Sequence, residues 1–134
     1  MPTSPVAVLV AALVYFVLGG LWYSPLMFAR PWMALVGISE EQIRQKGGAG
    51  KAYAVAVLCS LIIAFVLAIL VNQQTPANLF TGAQTGLMTG VGLVAMTAFT
   101  TSTFEARPLK LFLIDAGYNV VGFILAGAIL GAWR

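Results

Sequence analysis

Residues 104–122 read FEARPLKLFLIDAGYNVVG, and they place an acidic residue inside an apolar run long enough to cross a bilayer. The stretch holds two of the four acidic residues of the chain, Glu105 and Asp115. A carboxylate within a membrane span is costly, so it is either satisfied by polar partners or used for function. The stretch therefore predicts both a membrane fold and the place where polar chemistry occurs within it.

The composition of the whole chain supports a membrane protein. Hydrophobic residues make up 60% of the sequence and charged residues 8%, whereas a soluble domain carries about 25% charged residues. Such a chain could not cover a soluble surface with polar groups, and its length predicts a single domain, residues 1–134. Its basic residues are not interleaved with stacking aromatics, so no nucleic-acid partner is expected.

Four apolar stretches approach the roughly 20 residues that a helix needs to cross the hydrocarbon layer. They predict an all-α fold, a compact bundle of four transmembrane helices at about residues 5–23, 51–71, 79–101 and 108–133. The first stretch has no Lys or Arg before it and is longer than the apolar core of a signal peptide. We therefore predict that it is a membrane span.

The segment between the first two spans is too short to cross a membrane again. Its first part is apolar and predicts an interfacial helical segment that ends at Gly37. Ser39 and Gln42 then have the spacing of a capping box, and residues 47–50 are a flexible glycine joint. Whether residues 26–46 lie on the membrane or against the bundle stays open.

Small residues recur at every fourth position of the second and third spans. In lipid they allow helix backbones to approach closely, so these two helices are predicted to pack directly on each other. Val94 and Ala98 continue the pattern of the third span. The residues assigned to helix packing are Gly82, Gly86, Gly90, Gly127 and Gly131.

A stripe of hydroxyl groups runs beside these glycines on the third span. Its members are Thr81, Thr85, Thr89 and Thr97. The stripe is interpreted as packing with hydrogen bonds across helices. The alternative is a polar lining, for which Gln84 is the strongest candidate.

Asp115 is the centre of the candidate site. It follows Lys110 by five residues and so lies roughly 8 Å into the fourth span. Tyr118 and Asn119 follow at i+3 and i+4 and share its helix face. Two hypotheses remain: Asp115 accepts hydrogen bonds from loop or Thr donors and locks the helix in register, or it is a proton or cation site open to the cytoplasm.

Glu105 and Arg107 lie at the mouth of the same helix. They form either a salt-bridged loop or an entrance to the site. Arg30, Lys51 and Arg107 are the candidate cationic partners of Asp115.

Other chemistry is poorly represented. The chain has no histidine and one cysteine, which excludes His-based acid–base catalysis, Cys–His nucleophile pairs and His metal sites. We expect no catalytic residues, no metal and no cofactor.

The preferred hypothesis is a non-enzymatic membrane protein with a structural or partner-binding role. The alternative is a small proton- or cation-coupled transporter that uses Asp115, with an unknown substrate.

Charge and aromatic residues predict the orientation in a cell membrane. Six basic residues fall in the first and third loops and one at the C-terminus: Arg30, Arg44, Lys46, Lys51, Arg107 and Lys110 against Arg134. Because short basic loops stay in the cytoplasm, both termini are expected outside.

The aromatic residues assigned to the membrane interface are Trp22, Tyr23, Trp32 and Trp133. A homodimer would give so short a chain more interior in the bilayer.

The sequence also resembles a known family. The segments LGGLWYSPLMF (18–28), VGISEEQI (36–43) and FEARPLKLFLIDAGYNVVGFILAGAILGAW (104–133) are similar to the bacterial integral membrane family named domain of unknown function 1761. The resemblance covers essentially the whole chain. It implies a small multi-helix membrane protein and brings no functional residues with it.

Overall fold

The protein is a bundle of helices. The computed structural model describes residues 4–37, 39–45 and 50–133, and every regular element within these ranges is helical. The elements are α1 (Pro5–Trp22), α2 (Ala29–Val36), α3 (Glu40–Gln45), α4 (Gly50–Asn72), α5 (Leu79–Thr89), a π-helical turn (Gly90–Ala95), α6 (Met96–Phe104) and α7 (Leu109–Ala132). Lys46, most of the predicted glycine joint and Arg134 lie outside the described residues.

Four of the helical stretches are long and apolar enough to cross a membrane. They are α1, α4, the continuous stretch Leu79–Phe104, and α7. This confirms the predicted all-α, four-helix fold.

Local sequence signals set the starts of the spans. The hydroxyl of Ser4 accepts from the backbone N–H of Val6 at 3.1 Å at the start of α1. At the start of α5, Asn78 and Thr81 exchange two side-chain hydrogen bonds of 2.9 Å, a capping box. Each cap satisfies helix N–H groups that have no partner within the helix.

Within its described residues, the segment between α1 and α4 contains the helices α2 and α3, in line with the predicted helical segment. Gly37 ends α2 with φ 80°, in the left-handed region that glycine adopts without a side-chain clash. Ser39 and Gln42 then form the predicted capping box at the start of α3, with hydrogen bonds of 2.9 and 3.2 Å.

Helix α7 lies at the centre of the bundle. It packs along α1, α4 and α5 and runs antiparallel to α1 and α5. The core is rich in alanine and consists of Ala7, Ala11, Ala12, Tyr15, Ala64, Leu67, Ala68, Val71, Phe123, Ala126 and Leu130. Small side chains on all four spans keep the backbones close, which is the packing expected where lipid replaces water.

The second and third spans do contact each other, but the glycines of α5 pack on α7, so the prediction that these glycines form the contact between the two spans was wrong. A β-carbon on Gly82 would overlap the carbonyl oxygen of Gly127, and one on Gly86 would overlap that of Phe123. Gly131 approaches the backbone of Asn78 in the same way. Glycines on both helices permit this contact, whereas α4 offers α5 no matching glycine.

The small residues of α4 serve a different contact. This helix packs mainly on α1, and Ser60, Ala64 and Ala68 are buried. Ala52 and Ala56 continue the stripe but are exposed and half-buried, respectively. The stripe therefore marks a buried face correctly, but its partner is α1.

A π-helical turn interrupts the third span, which the sequence predicted as a regular helix. Gly82, Gly86 and Gly90 follow a spacing of four, but the next buried residue is Ala95, five positions on. Val94, the predicted continuation, is only half-buried. A π turn inserts one extra residue and shifts the buried face by one position. Beyond it, α6 buries none of its side chains.

The hydroxyl stripe bonds its own helix and does not cross to another. Thr85 donates to the carbonyl oxygen of Thr81 at 2.9 Å, and Thr89 donates to that of Thr85 at 2.8 Å. Thr97 makes the same bond one turn back along its own helix. Gln84 is exposed on the outside of α5. Thr85 is buried, but its hydroxyl is already paired within its own helix, so the stripe makes no hydrogen bond across helices among the described residues.

Candidate functional site

Asp115 is held by an aromatic side chain from α1. The phenol of Tyr23 donates a hydrogen bond of 2.6 Å to Asp115 Oδ1. This length is within the range of a well-formed O–H···O hydrogen bond. Tyr23 is the first residue after α1, and Asp115 lies in the second turn of α7. The bond therefore ties the end of one span to the beginning of another.

Three further hydrogen bonds connect the same two helices. Tyr15 donates to Oδ1 of Asn119 at 2.8 Å, and Tyr118 donates to the backbone oxygen of Tyr15 at 2.8 Å. Trp22 donates through its indole nitrogen to the backbone oxygen of Ile114 at 2.9 Å. All three polar residues predicted to share a face of α7 therefore meet α1.

Three of the aromatic rings in this contact each lie against a glycine on the facing helix. The pairs are Tyr118 over Gly19, Trp22 over Gly117, and Tyr15 over Gly122. A β-carbon on these glycines would lie 2.8, 3.0 and 2.6 Å from the nearest atom of the aromatic side chain, respectively. The glycines provide the space that lets a large ring reach a partner on the other helix.

The aromatic residues assigned to the membrane interface therefore have a more specific role. Trp22 and Tyr23 are hydrogen-bond donors within the bundle. Trp32 of α2 packs edge-on against Tyr23, with ring centroids 5.6 Å apart. This contact brings α2 against the α1–α7 pair. Trp133 lies at the other end of the bundle and is 44% exposed.

The other side of Asp115 faces a cleft of about 290 Å³ between α6 and α7. Glu105 and Arg107 also line this cleft and form an ion pair of 2.8 Å, with both side chains about half exposed. Among the described residues, Asp115 forms no ion pair, so the prediction of Arg30, Lys51 or Arg107 as its partner was wrong. A phenol satisfies one carboxylate oxygen without bringing a charge.

The loop at the mouth of the cleft has a defined geometry. The N–H of Arg107 bonds to the carbonyl oxygen of Ser102 at 3.0 Å, and that of Ala106 bonds to Thr103 at 3.1 Å. These two bonds form a Schellman motif, in which the residue after the cap is left-handed. Ala106 occupies that position with φ 55°, where glycine is usual. The motif sets Glu105 and Arg107 beside each other at the mouth.

Sequence reasoning missed two parts of the site. Tyr15 was treated as one more residue of an apolar span, although its hydroxyl needs a partner when it is buried. Gly19 carries no signal by itself and matters only because Tyr118 lies over it. The phenols of the chain, considered together with its intramembrane carboxylate and amide, are the signal that could have identified this network.

The site offers little to a metal ion. Within the described ranges, no three His, Cys, Asp or Glu side chains come together. Cys59 is exposed on α4 and forms no disulfide. The polar groups of the α1–α7 contact are instead hydrogen-bond donors and acceptors that pair with each other.

Comparison with known proteins gives one match. The family model described as protein of unknown function (DUF1761) matches residues 6–131, nearly the whole chain. No curated protein and no solved structure matches.

Proposed function

We propose that this chain, which belongs to the DUF1761 family of proteins of unknown function, is a small multi-pass protein of the cell membrane with a non-enzymatic structural or partner-binding role. Four helices of sufficient length and apolar character support the membrane placement. The excess of basic residues in the first and third loops supports an orientation with those loops in the cytoplasm and both termini outside.

One observation carries the structural role: the polar groups of α7 that could perform chemistry are hydrogen-bonded to α1. Asp115 accepts from Tyr23, and Asn119 accepts from Tyr15. Such bonds between spans are worth about 0.6 kcal/mol on average and up to about 1.7 kcal/mol. They specify which faces of the two helices meet, because a rotated helix would leave these groups without partners in lipid.

A second candidate, proton- or cation-coupled transport, is favoured by a different observation. Only Oδ1 of Asp115 accepts a hydrogen bond from the described residues, and the same side chain lines the cleft beside α6. A carboxylate within a membrane span that reaches an open cleft is a candidate proton or cation site. The ion pair of Glu105 and Arg107 would then stand at its entrance.

The two candidates predict different consequences of Asp115→Asn. The asparagine side chain keeps an oxygen acceptor for Tyr23 but loses the charge. A structural role predicts a lower stability and no transport signal in either protein. A transporter predicts a transient current in the wild type after a pH step on a solid-supported membrane, and its loss in a folded variant.

A homodimer is the partner that we propose. Its support is Gln84, an exposed amide on a span, which has no hydrogen-bond partner among the described residues. An amide is both donor and acceptor, so two copies related by a twofold axis can satisfy each other. A polar group with no other partner in lipid favours such an association.

A further inference from the structure

The cleft between α6 and α7 has the size and the walls of a small-ligand site. Its volume of about 290 Å³ is close to the lower end of the range for small-molecule pockets, about 300 Å³. Leu111 and Phe112 give it apolar walls, and Asp115 lies deeper along α7 than the ion pair at its mouth. The hydrogen bond from Tyr23 fixes the carboxylate in position before any ligand arrives.

The charges that face the cleft favour a cation. Asp115, Glu105 and Arg107 are the charged residues of the lining, two acidic and one basic. Arg107 is paired with Glu105 through its Nε. Tyr23 donates a hydrogen bond to Asp115 and adds no charge. A ligand with a single positive charge therefore balances the lining.

The walls favour an organic cation over a metal ion. Calcium requires six to eight oxygen ligands, and magnesium requires near-ideal octahedral coordination. The described residues provide no cluster of three metal-binding side chains. Phe112 instead presents an aromatic ring, which packs in a tilted contact against Phe99 with ring centroids 4.9 Å apart. Aromatic faces attract ammonium groups.

From this geometry we propose that the α6–α7 cleft binds an organic ammonium group, with Asp115 as its counter-ion and Phe112 as its aromatic wall. The same chemistry is offered by a free amine and by the ethanolamine headgroup of a phospholipid. Phe104 and Leu109, at the helix ends beside the cleft, are 88% and 60% exposed. The inference stands whether or not the protein transports its ligand.

The test measures binding to the full-length protein in an uncharged detergent. Ethanolamine is titrated against the protein while the melting temperature is followed. In a second arm, the melting temperature is compared between bicelles with phosphatidylethanolamine and bicelles with phosphatidylglycerol. The wild type is expected to be stabilised in at least one arm. A shift with ethanolamine alone identifies a free amine, and a shift with the lipid alone identifies a headgroup.

Three variants test the assignment. Asp115→Asn should lose the ligand-dependent shift, while Glu41→Gln, which removes the same charge from exposed α3, should keep it. Phe112→Leu should weaken binding about two- to fivefold, the loss expected for a cation–π contact at an exposed site. This milder variant keeps the test decisive if Asp115→Asn does not fold. A wild type that neither probe stabilises, or Asp115→Asn and Phe112→Leu variants that bind as the wild type does, would overturn the proposal.

Discussion

The phenolic oxygen of Tyr23 lies 2.6 Å from Oδ1 of Asp115 and joins the end of α1 to the second turn of α7. The indole of Trp22 makes a parallel connection to the backbone of Ile114 at 2.9 Å. Two neighbouring residues at the end of α1, Trp22 and Tyr23, thus contact two neighbouring residues of α7. This double connection sets both the rotation and the relative height of the two helices.

Removal of the Tyr23 hydroxyl should destabilise the bundle. Tyr23→Phe keeps the ring contacts with Trp32 and Tyr118 but leaves the half-buried carboxylate without its donor. We expect a loss of about 1 to 2 kcal/mol in the free energy of unfolding, because an unsatisfied polar group loses its hydrogen bond without regaining water. Denaturation with sodium dodecyl sulfate in bicelles measures this change.

Tyr53→Phe is the matched control for this change. Tyr53 is 59% exposed on α4, and its ring contacts Phe16. The control should change the stability by less than about 0.5 kcal/mol, as is usual for surface substitutions. Equal effects of the two substitutions would mean that the bond to Asp115 contributes nothing to folding.

The contact between α5 and α7 should not tolerate a single methyl group. In Gly86→Ala, the new β-carbon would overlap the backbone oxygen of Phe123, which cannot move as a flexible side chain does. We expect a loss of at least about 2 kcal/mol, towards the upper end of the usual cost of overpacking. Thermal unfolding in detergent, followed by circular dichroism, provides the measurement.

Gly20→Ala is the same substitution at a position with free space. A β-carbon on Gly20 of α1 would meet nothing within 4 Å. Because alanine is a better helix former than glycine, this variant should be neutral or more stable by up to about 1 kcal/mol. If Gly86→Ala and Gly20→Ala have the same melting temperature, α5 and α7 do not approach each other as closely as described.

The fold could be predicted from the sequence because hydrophobic length and cap residues are local signals. Asn78 and Thr81 form a capping box at the start of α5, and this box does not depend on which helix α5 packs against. The partner of each helix is a different problem. Small residues show which face is buried, but Gly82 is compatible with any helix that offers a matching glycine, and α7 offers Gly127.

The candidate site was predicted in part for the same reason. The spacing of Asp115, Tyr118 and Asn119 places them on one face of one helix, which is local information. Their partners Tyr23 and Tyr15 are about a hundred residues away in sequence. The π turn was not predictable from periodicity either, because its effect appears only as one extra residue between two buried positions.

Replacement of the left-handed residue at the mouth of the cleft by glycine should raise the stability of the protein. Ala106 has φ 55°, a conformation that costs an L-residue about 1 to 2 kcal/mol and costs glycine almost nothing. After subtraction of the greater entropy of glycine in the unfolded chain, Ala106→Gly should stabilise by about 0.5 to 1 kcal/mol. Thermal unfolding beside the wild type measures the change.

Ala54→Gly is the control, for which we expect a change in stability of the opposite sign. Ala54 is exposed within α4, where glycine should cost about 0.8 to 1 kcal/mol. Destabilisation by both substitutions would show that position 106 is not left-handed in the folded protein.

The proposed orientation predicts the activity of reporter fusions. Fusion of alkaline phosphatase to the C-terminus should give an active enzyme, and a green fluorescent protein at the same place should stay dark, because the C-terminus is proposed to lie outside. Fusion after Lys110 should give the reverse pattern, because the basic residues Arg107 and Lys110 of that loop then precede the reporter. An active phosphatase at both sites, or a reversed pattern, would contradict the orientation.

The proposed homodimer depends on the exposed amide of Gln84. In Gln84→Leu, two facing copies lose a reciprocal amide contact, which is worth about 0.6 to 1.7 kcal/mol between spans. The dimer dissociation constant should therefore rise roughly three- to twentyfold, as measured by energy transfer between labelled copies in liposomes at a series of protein-to-lipid ratios. Met88→Leu, one turn along the same exposed face, changes apolar contact only and should leave the constant nearly unchanged. A Gln84→Leu variant that associates as strongly as the wild type would mean that lipid covers this face of α5.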